Sequence, residues 1–197
     1  MTNSMKDFVE IRWHGRGGQG AKTASLLFAD AALSQGKYIQ AFPEYGPERM
    51  GAPVATFNRL SAKPILLHSA VTNPDIVLVL DPTLMEVIDV TEGMLKGGIL
   101  VINTAQSPQE IMGACSVKNN DIKVYTIDAS MISKETIGRE IPNTPMMGAL
   151  AKVSGILDFK AMLDDTKHKL EKKFKSKPEV IDGNLKAIER AYNEVKS

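Results

Sequence analysis

Three short and almost purely apolar runs constrain the fold of this chain most. They are "DIVLVLD" at 75–81, "GILVINT" at 98–104 and "IKVYTID" at 122–128. A strand with one face in water alternates polar and apolar residues, whereas runs of this kind suit strands buried on both faces of a parallel sheet. The segments between them, 82–95 and 107–114, are predicted to be helical. Such alternation is typical of a layered α/β fold with right-handed crossovers.

The N-terminal part of the chain predicts the remainder of the sheet. In chain order we predict a strand at 8–13, a helix at 20–34 and strands at 37–42 and 54–61. Segment 43–53 between the last two strands is rich in proline and glycine, which excludes a regular element there. We therefore predict a Rossmann-like three-layer α/β fold with a mostly parallel sheet and one inserted β pair.

After residue 128 the pattern becomes helical. Helices are predicted at 129–138, 144–157, 158–175 and 178–196. We expect one domain over 1–197, with an α/β core at 1–158 and C-terminal helices at 159–197. The methionine-rich helix at 144–157 is expected to pack against the core or to supply part of an apolar interface. The lysines of 160–177 are expected to form a solvated face, with docking of an acidic partner as the alternative.

Composition narrows the function classes. A net charge of +1 over 197 residues gives no reason to expect a nucleic acid or an anionic membrane as a partner. No apolar run approaches the roughly 18–20 residues of a membrane span, and the N-terminus lacks the apolar region of a secretory signal. We therefore expect a cytoplasmic protein.

Metal chemistry has no support in the sequence. The single cysteine, Cys115, cannot form an internal disulfide, and an iron–sulfur cluster needs about four thiolates. The three histidines are far apart in sequence and show no metal-ligand spacing. We predict no metal site and no catalytic residue in this chain.

The stretch "WHGRGGQGAKT" at 13–23 leaves three uses open. Gly15, Gly17 and Gly20 have the spacing of a dinucleotide-binding loop, for which Glu44 would be the acid that binds the ribose. A nucleoside triphosphate loop needs lysine directly after the last glycine, and here Ala21 intervenes. The third use is an anion site of another kind, because glycines at a strand-to-helix turn expose backbone N–H groups.

Four stretches together resemble one family. They are "EIRWHGRGGQGAKTAS" (10–25), "GKYIQAFPEYGPERMGAPVATFNRLS" (36–61), "NPDIVLVLD" (73–81) and "NTPMMGALAKVSGI" (143–156). In this order they resemble the gamma subunits of the pyruvate:ferredoxin oxidoreductases, also called pyruvate synthases, within the 2-oxoacid:ferredoxin oxidoreductase family. The "GA" that follows "YGPERM" favours pyruvate, or a related small or branched 2-oxoacid, over 2-oxoglutarate.

The resemblance implies a reaction and a division of labour. A 2-oxoacid, CoA and oxidised ferredoxin would be converted to acyl-CoA, CO2 and reduced ferredoxin. Thiamine diphosphate, Mg²⁺ and [4Fe–4S] clusters would lie on the alpha, beta and delta subunits. This chain would contribute CoA contacts and subunit interface and would be inactive alone. Because its apolar interface would then be uncovered, we expect a homodimer or another self-association when its partners are missing.

The candidate contacts to a CoA phosphate lie mainly in the glycine loop. They are Gly15, Arg16, Gly17, Gly18, Gln19, Gly20 and Lys22, with Glu44 and Arg49 as further candidates. Arg16 could instead cap a turn or pair at a subunit interface, Lys22 could be solvated, and Glu44 and Arg49 could pair with each other or with another subunit. Two alternative functions remain open, a self-contained NAD(P)-binding oxidoreductase and a purely structural assembly subunit.

Overall fold

The buried apolar runs form the centre of a single six-stranded sheet in the order β2-β3-β1-β4-β5-β6. The structure is a computed structural model and describes residues 7–44, 50–114 and 121–197. The candidate Arg49 and the cysteine Cys115 lie outside the described residues. The strands are β1 Phe8–Arg16, β2 Tyr38–Pro43, β3 Pro53–Ser61, β4 Ile76–Val79, β5 Ile99–Asn103 and β6 Lys123–Ile127.

The direction of the strands confirms the predicted sheet. Strand β1 pairs in parallel with β4, which is followed in parallel by β5 and β6. Strand β3 lies between β2 and β1 and is antiparallel to both. Since only β3 is reversed, the sheet is mostly parallel and carries one inserted β pair, as the sequence predicted.

Helices lie on both faces, but very unequally. They are α1 Ala21–Ser34, α2 Pro108–Ala114, α3 Ala129–Ile137, α4 Asn143–Ser154, α5 Phe159–Lys173 and α6 Pro178–Glu194, with a 3₁₀ helix at Pro82–Glu86. One face, here called the helix-covered face, packs against all of these α-helices except α2. The other, the loop-covered face, is covered by α2 and by the connecting segments 62–74 and 82–97.

The helix-covered face contains the main core. Trp13 and Phe28 meet edge to face with their ring centroids 6.4 Å apart. Helix α4 is buried among its neighbours, and Met146 and Met147 are both 0% exposed. The expectation that this methionine-rich helix supplies an interface is therefore wrong, because α1 and α6 already cover it.

The loop-covered face corrects one predicted element. The helix predicted over 82–95 is limited to the 3₁₀ turn at Pro82–Glu86, and the residues after it form irregular turns. The backbone oxygens of Val90 and Glu92 accept hydrogen bonds from the Arg12 side chain, at 2.9 and 2.8 Å, instead of joining a helix. Gly93, with a φ of 76°, also interrupts a helical path.

Candidate functional site

The glycine loop joins β1 to α1 at the carboxyl end of the sheet. Gly18 and Gly20 have φ values of 99° and 80°, which side-chain-bearing residues rarely adopt. Gly20 also lies against the start of α4, because a Cβ built on it would stand 2.6 Å from Nδ2 of Asn143. Two helices, α1 and α4, therefore begin beside this loop.

Backbone hydrogen bonds fix the loop to the end of the inserted strand pair. Gly17 N donates to Ala52 O at 2.9 Å, and Gly51 N donates to Gly17 O at 3.1 Å. Within the loop, Arg16 N donates to Oε1 of Gln19 at 2.7 Å. These bonds extend the β1–β3 pairing past the last strand residues and make the loop part of the sheet framework.

The side chain of Arg16 is bound within the chain. Its Nε donates to Asp81 at 3.1 Å, its Nη2 donates to Thr83 Oγ1 at 2.8 Å, and its Nη1 donates to the carbonyl oxygen of Gly51 at 3.2 Å. These contacts use three of the five N–H groups of the guanidinium. Arg16 thus ties the glycine loop to the segment that follows β4.

Asp81 is the anionic centre of these contacts. Its Oδ2 also accepts from Nε2 of Gln19 at 2.8 Å, and its Oδ1 accepts from the backbone N and the hydroxyl of Thr83. Partial burial alone would raise the pKa of Asp81, but the hydrogen bonds from Thr83 and Gln19, helped by the charge of Arg16, lower it below its ordinary value. Asp81 therefore stays ionised at neutral pH.

The N-terminus of α1 is uncapped and faces this loop. Among the described residues no side chain caps the helix, and its first turn contains no acidic residue. Lys22, the second residue of α1, is exposed. Helix α4 likewise begins without a side-chain cap. Since free N–H groups and the partial positive charge of a helix N-terminus attract anions, this end of the sheet suits a phosphate.

Glu44 lies at the same end of the sheet but farther from the loop. It follows β2 directly, is exposed, and donates its backbone N–H to Ala55 O at 2.9 Å. In a dinucleotide fold the strand that carries the acid is next to β1, whereas here β3 separates β2 from β1. At about 4.8 Å between strands, Glu44 is displaced from β1 by about 10 Å across the sheet.

Sequence reasoning missed a buried arginine on the loop-covered face. Arg59 is 1% exposed and donates two hydrogen bonds to Oε1 of Glu10, at 2.7 and 2.9 Å. Its other N–H groups bind the side chain of Gln40 and the backbone oxygens of Leu67 and Ser69. All five N–H groups are thereby used. No motif marks this residue, since a charged position in an alternating strand predicts solvent exposure.

His14, directly before the glycine loop, was also missed. Its side chain is buried, and its Nε2 has no hydrogen-bond partner among the described residues. Burial first, and the charge of Arg12 second, lower the pKa of His14 to about 4. His14 is therefore neutral at physiological pH.

The described residues contain neither a candidate metal centre nor a helix that could span a membrane. Within 7–44, 50–114 and 121–197, no three or more His, Cys, Asp or Glu side chains come together as a group that could hold a metal ion. In the same part of the chain no helix combines the length and the hydropathy needed to cross a membrane.

Comparison with known proteins decides the family. Residues 10–194 match the family model described as pyruvate ferredoxin/flavodoxin oxidoreductase. The chain belongs to this family. The resemblance found in the four sequence stretches is thus confirmed, and it extends over nearly the whole chain.

The relatives within the family are subunits of about the same length. The chain is 47% identical to pyruvate synthase subunit PorC of Thermotoga maritima, with 97% of this chain and 96% of that protein covered. It is 42% identical to the pyruvate/ketoisovalerate oxidoreductases common subunit gamma of Thermococcus kodakarensis, over 94% of this chain and 96% of that subunit. These relatives confirm the predicted assignment to the gamma subunits.

Solved structures agree with the fold. The crystal structure of the Thermotoga maritima subunit matches with a TM-score of 0.83, at 45% identity over 97% of this chain and 98% of that one. A 2-oxoglutarate:ferredoxin oxidoreductase from Magnetococcus marinus, solved with 2-oxoglutarate, coenzyme A and succinyl-CoA bound, matches with a TM-score of 0.75 at 21% identity. The match covers 96% of this chain but 31% of that longer chain. At this low identity the second likeness concerns the fold alone.

Proposed function

We propose that this chain is the gamma subunit of a thiamine-dependent pyruvate:ferredoxin oxidoreductase that accepts pyruvate or a related small 2-oxoacid. The enzyme converts the 2-oxoacid, CoA and oxidised ferredoxin to acyl-CoA, CO2 and reduced ferredoxin. The observation that carries the proposal is the 47% identity to a pyruvate synthase subunit along almost the entire chain.

The other components of the reaction belong to partner subunits in this proposal. Alpha and beta subunits hold thiamine diphosphate and Mg²⁺, and the beta and delta subunits hold [4Fe–4S] clusters and pass electrons to ferredoxin. One cysteine in 197 residues supports this division, since a cluster needs about four thiolates. The chain acts as one unit in the cytoplasm, with helices 159–197 packed on the α/β core, and is inactive alone.

The contribution of this chain to catalysis is to hold a phosphate of CoA at the glycine loop. Support comes from the uncapped N-terminus of α1, its first turn without acids, and the exposed ammonium group of Lys22. The backbone of Gly18, where an added Cβ would stand 4.0 Å from the Met50 side chain, leaves room for close approach of an anion. Lys22 is the cation that we assign to the phosphate.

Arg16 and Gln19 have a second role in the same proposal. Three N–H groups of Arg16 hold Asp81, Thr83 and the backbone at 51, so that two remain for an anion. Arg16 therefore positions the loop and adds one contact from its outer edge. Glu44 and Arg49 remain candidates for the far side of the ligand.

The displaced position of Glu44 disfavours the NAD(P) alternative. A dinucleotide needs its ribose acid one strand from the loop, and the reversed strand β3 occupies that place. A ligand with phosphates but without this ribose contact suits the site better. A purely structural role would leave the uncapped helix N-terminus and the first-turn lysine without a use.

Matched lysine substitutions in the assembled enzyme test the CoA contact. Lys22 and Lys160 are both exposed and are each the second residue of a helix, α1 and α5. Lys160 lies at the opposite end of the sheet, where Gln35 from the end of α1 bonds the backbone of Asp158. Losing one charge-assisted contact costs about 1.5–3 kcal/mol, so Lys22→Ala should raise the KM for CoA about 10-fold or more.

The control should leave both kinetic constants unchanged, and neither variant should alter the decarboxylation of pyruvate measured without CoA. An unchanged KM for CoA in Lys22→Ala, with the complex intact, would remove Lys22 from the site. Saturable micromolar binding of NADH to the wild-type chain would contradict the CoA assignment and favour a dinucleotide site.

A further inference from the structure

The large exposed apolar side chains concentrate on the two segments that cover the loop-covered face. Leu66 is 86% exposed and Leu67 40% on segment 62–74. Val87 is 66% exposed, Leu95 51% and Ile88 36% on segment 82–97. The two connections meet where the Asn73 side chain donates to Gly93 O at 3.0 Å. We call their five exposed apolar side chains the patch, whereas single exposed apolar residues on a surface need no explanation.

Buried arginines fix the shape of this patch. Arg59 holds the backbone of 62–74 through the carbonyl oxygens of Leu67 and Ser69, and Gln40 also donates to Leu67 O at 3.0 Å. Arg12 holds 82–97 through the carbonyl oxygens of Val90 and Glu92. Removing two guanidinium groups from water costs free energy. In return, their hydrogen bonds hold the backbone of two irregular connections in place. A rigid apolar surface binds a partner with less loss of conformational entropy.

The patch has an acidic rim on segment 82–97, whereas Lys63 of segment 62–74 is paired with Asp7 at 3.7 Å. Residues 82–95 contain Glu86, Asp89 and Glu92 but no lysine or arginine. All three carboxylate residues are exposed. Lys96, the next cation along the chain, is paired with Asp121 at 3.2 Å. A partner that covers Val87 and Ile88 would therefore need a neutral or basic rim.

The patch is also continuous with the glycine loop. Thr83 is the second residue of segment 82–97, and its hydroxyl accepts a hydrogen bond from Arg16 of the glycine loop. A CoA molecule held at this loop must bring its thiol to an acyl group that is carried on another subunit. The site must then lie at a subunit interface, and the surface next to it must be covered by the subunit that carries the acyl group.

We infer that the loop-covered face, through 62–74 and 82–97, docks against another subunit of the same oxidoreductase, one that presents an apolar centre with a basic rim. This inference rests on the proposed function and adds to it the face that is used. The outer surface of the helices on the other face of the sheet, by contrast, stays in solvent, including Leu26 and Leu33 of α1.

Glutamate substitutions at matched exposed positions test the inference in the co-expressed complex. Val87→Glu and Leu66→Glu place a charge in the patch, while Leu33→Glu places one on α1 at a residue that is 62% exposed. The dissociation constant of the gamma chain from its partners is measured for each variant, and unfolding of the free variants confirms that they fold. Each patch variant should weaken assembly by at least about 30-fold, as expected at a well-packed interface position, and Leu33→Glu should not.

A charge reversal checks the chemistry of the partner. Glu86→Lys should weaken assembly by a smaller factor that shrinks at high salt, because the rim charges are screened. Tighter assembly in Glu86→Lys would contradict the basic rim and overturn the inference.

The remaining outcomes separate the two proposals. If wild-type chain fails to assemble with its co-expressed partners, the proposed function fails. If wild-type chain and both patch variants assemble equally well, or if Leu33→Glu disrupts assembly as strongly, only the assignment of the face is overturned. If Val87→Glu instead abolishes self-association of the free chain without affecting the complex, the occupant is a second copy, and the inference is also overturned.

Discussion

The two faces of the sheet are covered by different kinds of structure, helices on one and mainly irregular segments on the other. The helix-covered face is mostly apolar, and its helices satisfy most of their own backbone groups and pack through residues such as Phe28 and Met147. The loop-covered face carries charged residues, among them Glu10, Arg12 and Arg59, and the two arginine side chains donate hydrogen bonds to the backbone of irregular segments. A buried connection without secondary structure has carbonyl oxygens that need donors, and arginines supply them.

This difference separates stability from recognition. The helix-covered face completes the core of the chain itself, whereas the loop-covered face holds a fixed apolar patch toward solvent beside the glycine loop. If this comparison is right, substitutions on the two faces should change the unfolding free energy by unequal amounts. The substitutions below are given from the largest expected effect to the smallest.

Arg59→Ala should be the most damaging of these changes. It would remove the Arg59 ion pair from the buried carboxylate of Glu10, the Arg59 donor from the carbonyl oxygen of Ser69, and one of the two side-chain donors to the carbonyl oxygen of Leu67. Removing one member of a buried ion pair costs about 3–5 kcal/mol, which urea unfolding of the free chain would measure. A double variant, Glu10→Leu with Arg59→Met, should recover part of this loss. A single variant as stable as wild type would show that the segment needs no arginine.

The pH dependence of stability should depend on His14. Its pKa of about 4 in the folded chain lies below the ordinary value of 6.5, so the unfolded chain binds the proton more readily between these values. The stabilisation is complete above pH 6.5 and declines as the pH falls to about 4, by about 3 kcal/mol for this shift. His14→Phe should flatten the unfolding free energy across this window.

The exposed His168 provides the control for this measurement. His168→Phe, which removes an exposed histidine in place of the buried one, should keep the wild-type decline between pH 6.5 and 4. If His14→Phe retains the same decline as wild type, then carboxylates and not this histidine cause it.

Gly148→Ala tests the packing of the helix-covered face. A Cβ on Gly148 would collide with the backbone oxygen of Ile188 in α6, so α4 and α6 would have to separate. Overpacking of this kind costs about 1–3 kcal/mol, measured as a lower urea midpoint. A gain in stability, as expected from alanine in an unconstrained helix, would show that α6 moves away freely.

Arg190→Met should have the smallest effect. Arg190 joins Glu135 of α3 and Glu194 of α6 at 2.7 and 2.8 Å, yet its side chain is 37% exposed. Solvent-exposed ion pairs contribute about 0–1 kcal/mol, so the unfolding free energy should change by less than this amount. A loss comparable to that of Arg59→Ala would remove the distinction between buried and exposed arginines.

The sequence predicted the parts of the molecule that local patterns control. The apolar run at 75–81 gave strand β4, and glycine spacing located the turn from β1 to α1. The helix over 82–95 was wrong because Arg12, far away in sequence, binds the carbonyl oxygens at 90 and 92. A side chain from a distant strand leaves no periodic signal in the segment that it holds.

The candidate site shows the same limit. The glycine loop and Lys22 could be read from composition and spacing, as could the weakness of the dinucleotide interpretation. Polar positions of an alternating strand such as "FVEIRW" ordinarily face solvent, but Glu10 and Arg12 are only 5% and 9% exposed. Burial of charge depends on partners in β3 and in the irregular segments, so only the assembled sheet could identify Arg59 as their common partner.

Hydrogen–deuterium exchange on the free chain and on the complete oxidoreductase tests the central claim most directly. The account holds that the helix-covered face completes the core of the chain, whereas the loop-covered face docks against a partner subunit. Amides of 62–74, 82–97 and the glycine loop should therefore exchange more slowly in the complex than in the free chain. Amides of α5 and α6 should exchange alike in both samples. Equal exchange of 62–74 and 82–97 in both samples, with new protection on α5 and α6, would contradict this account.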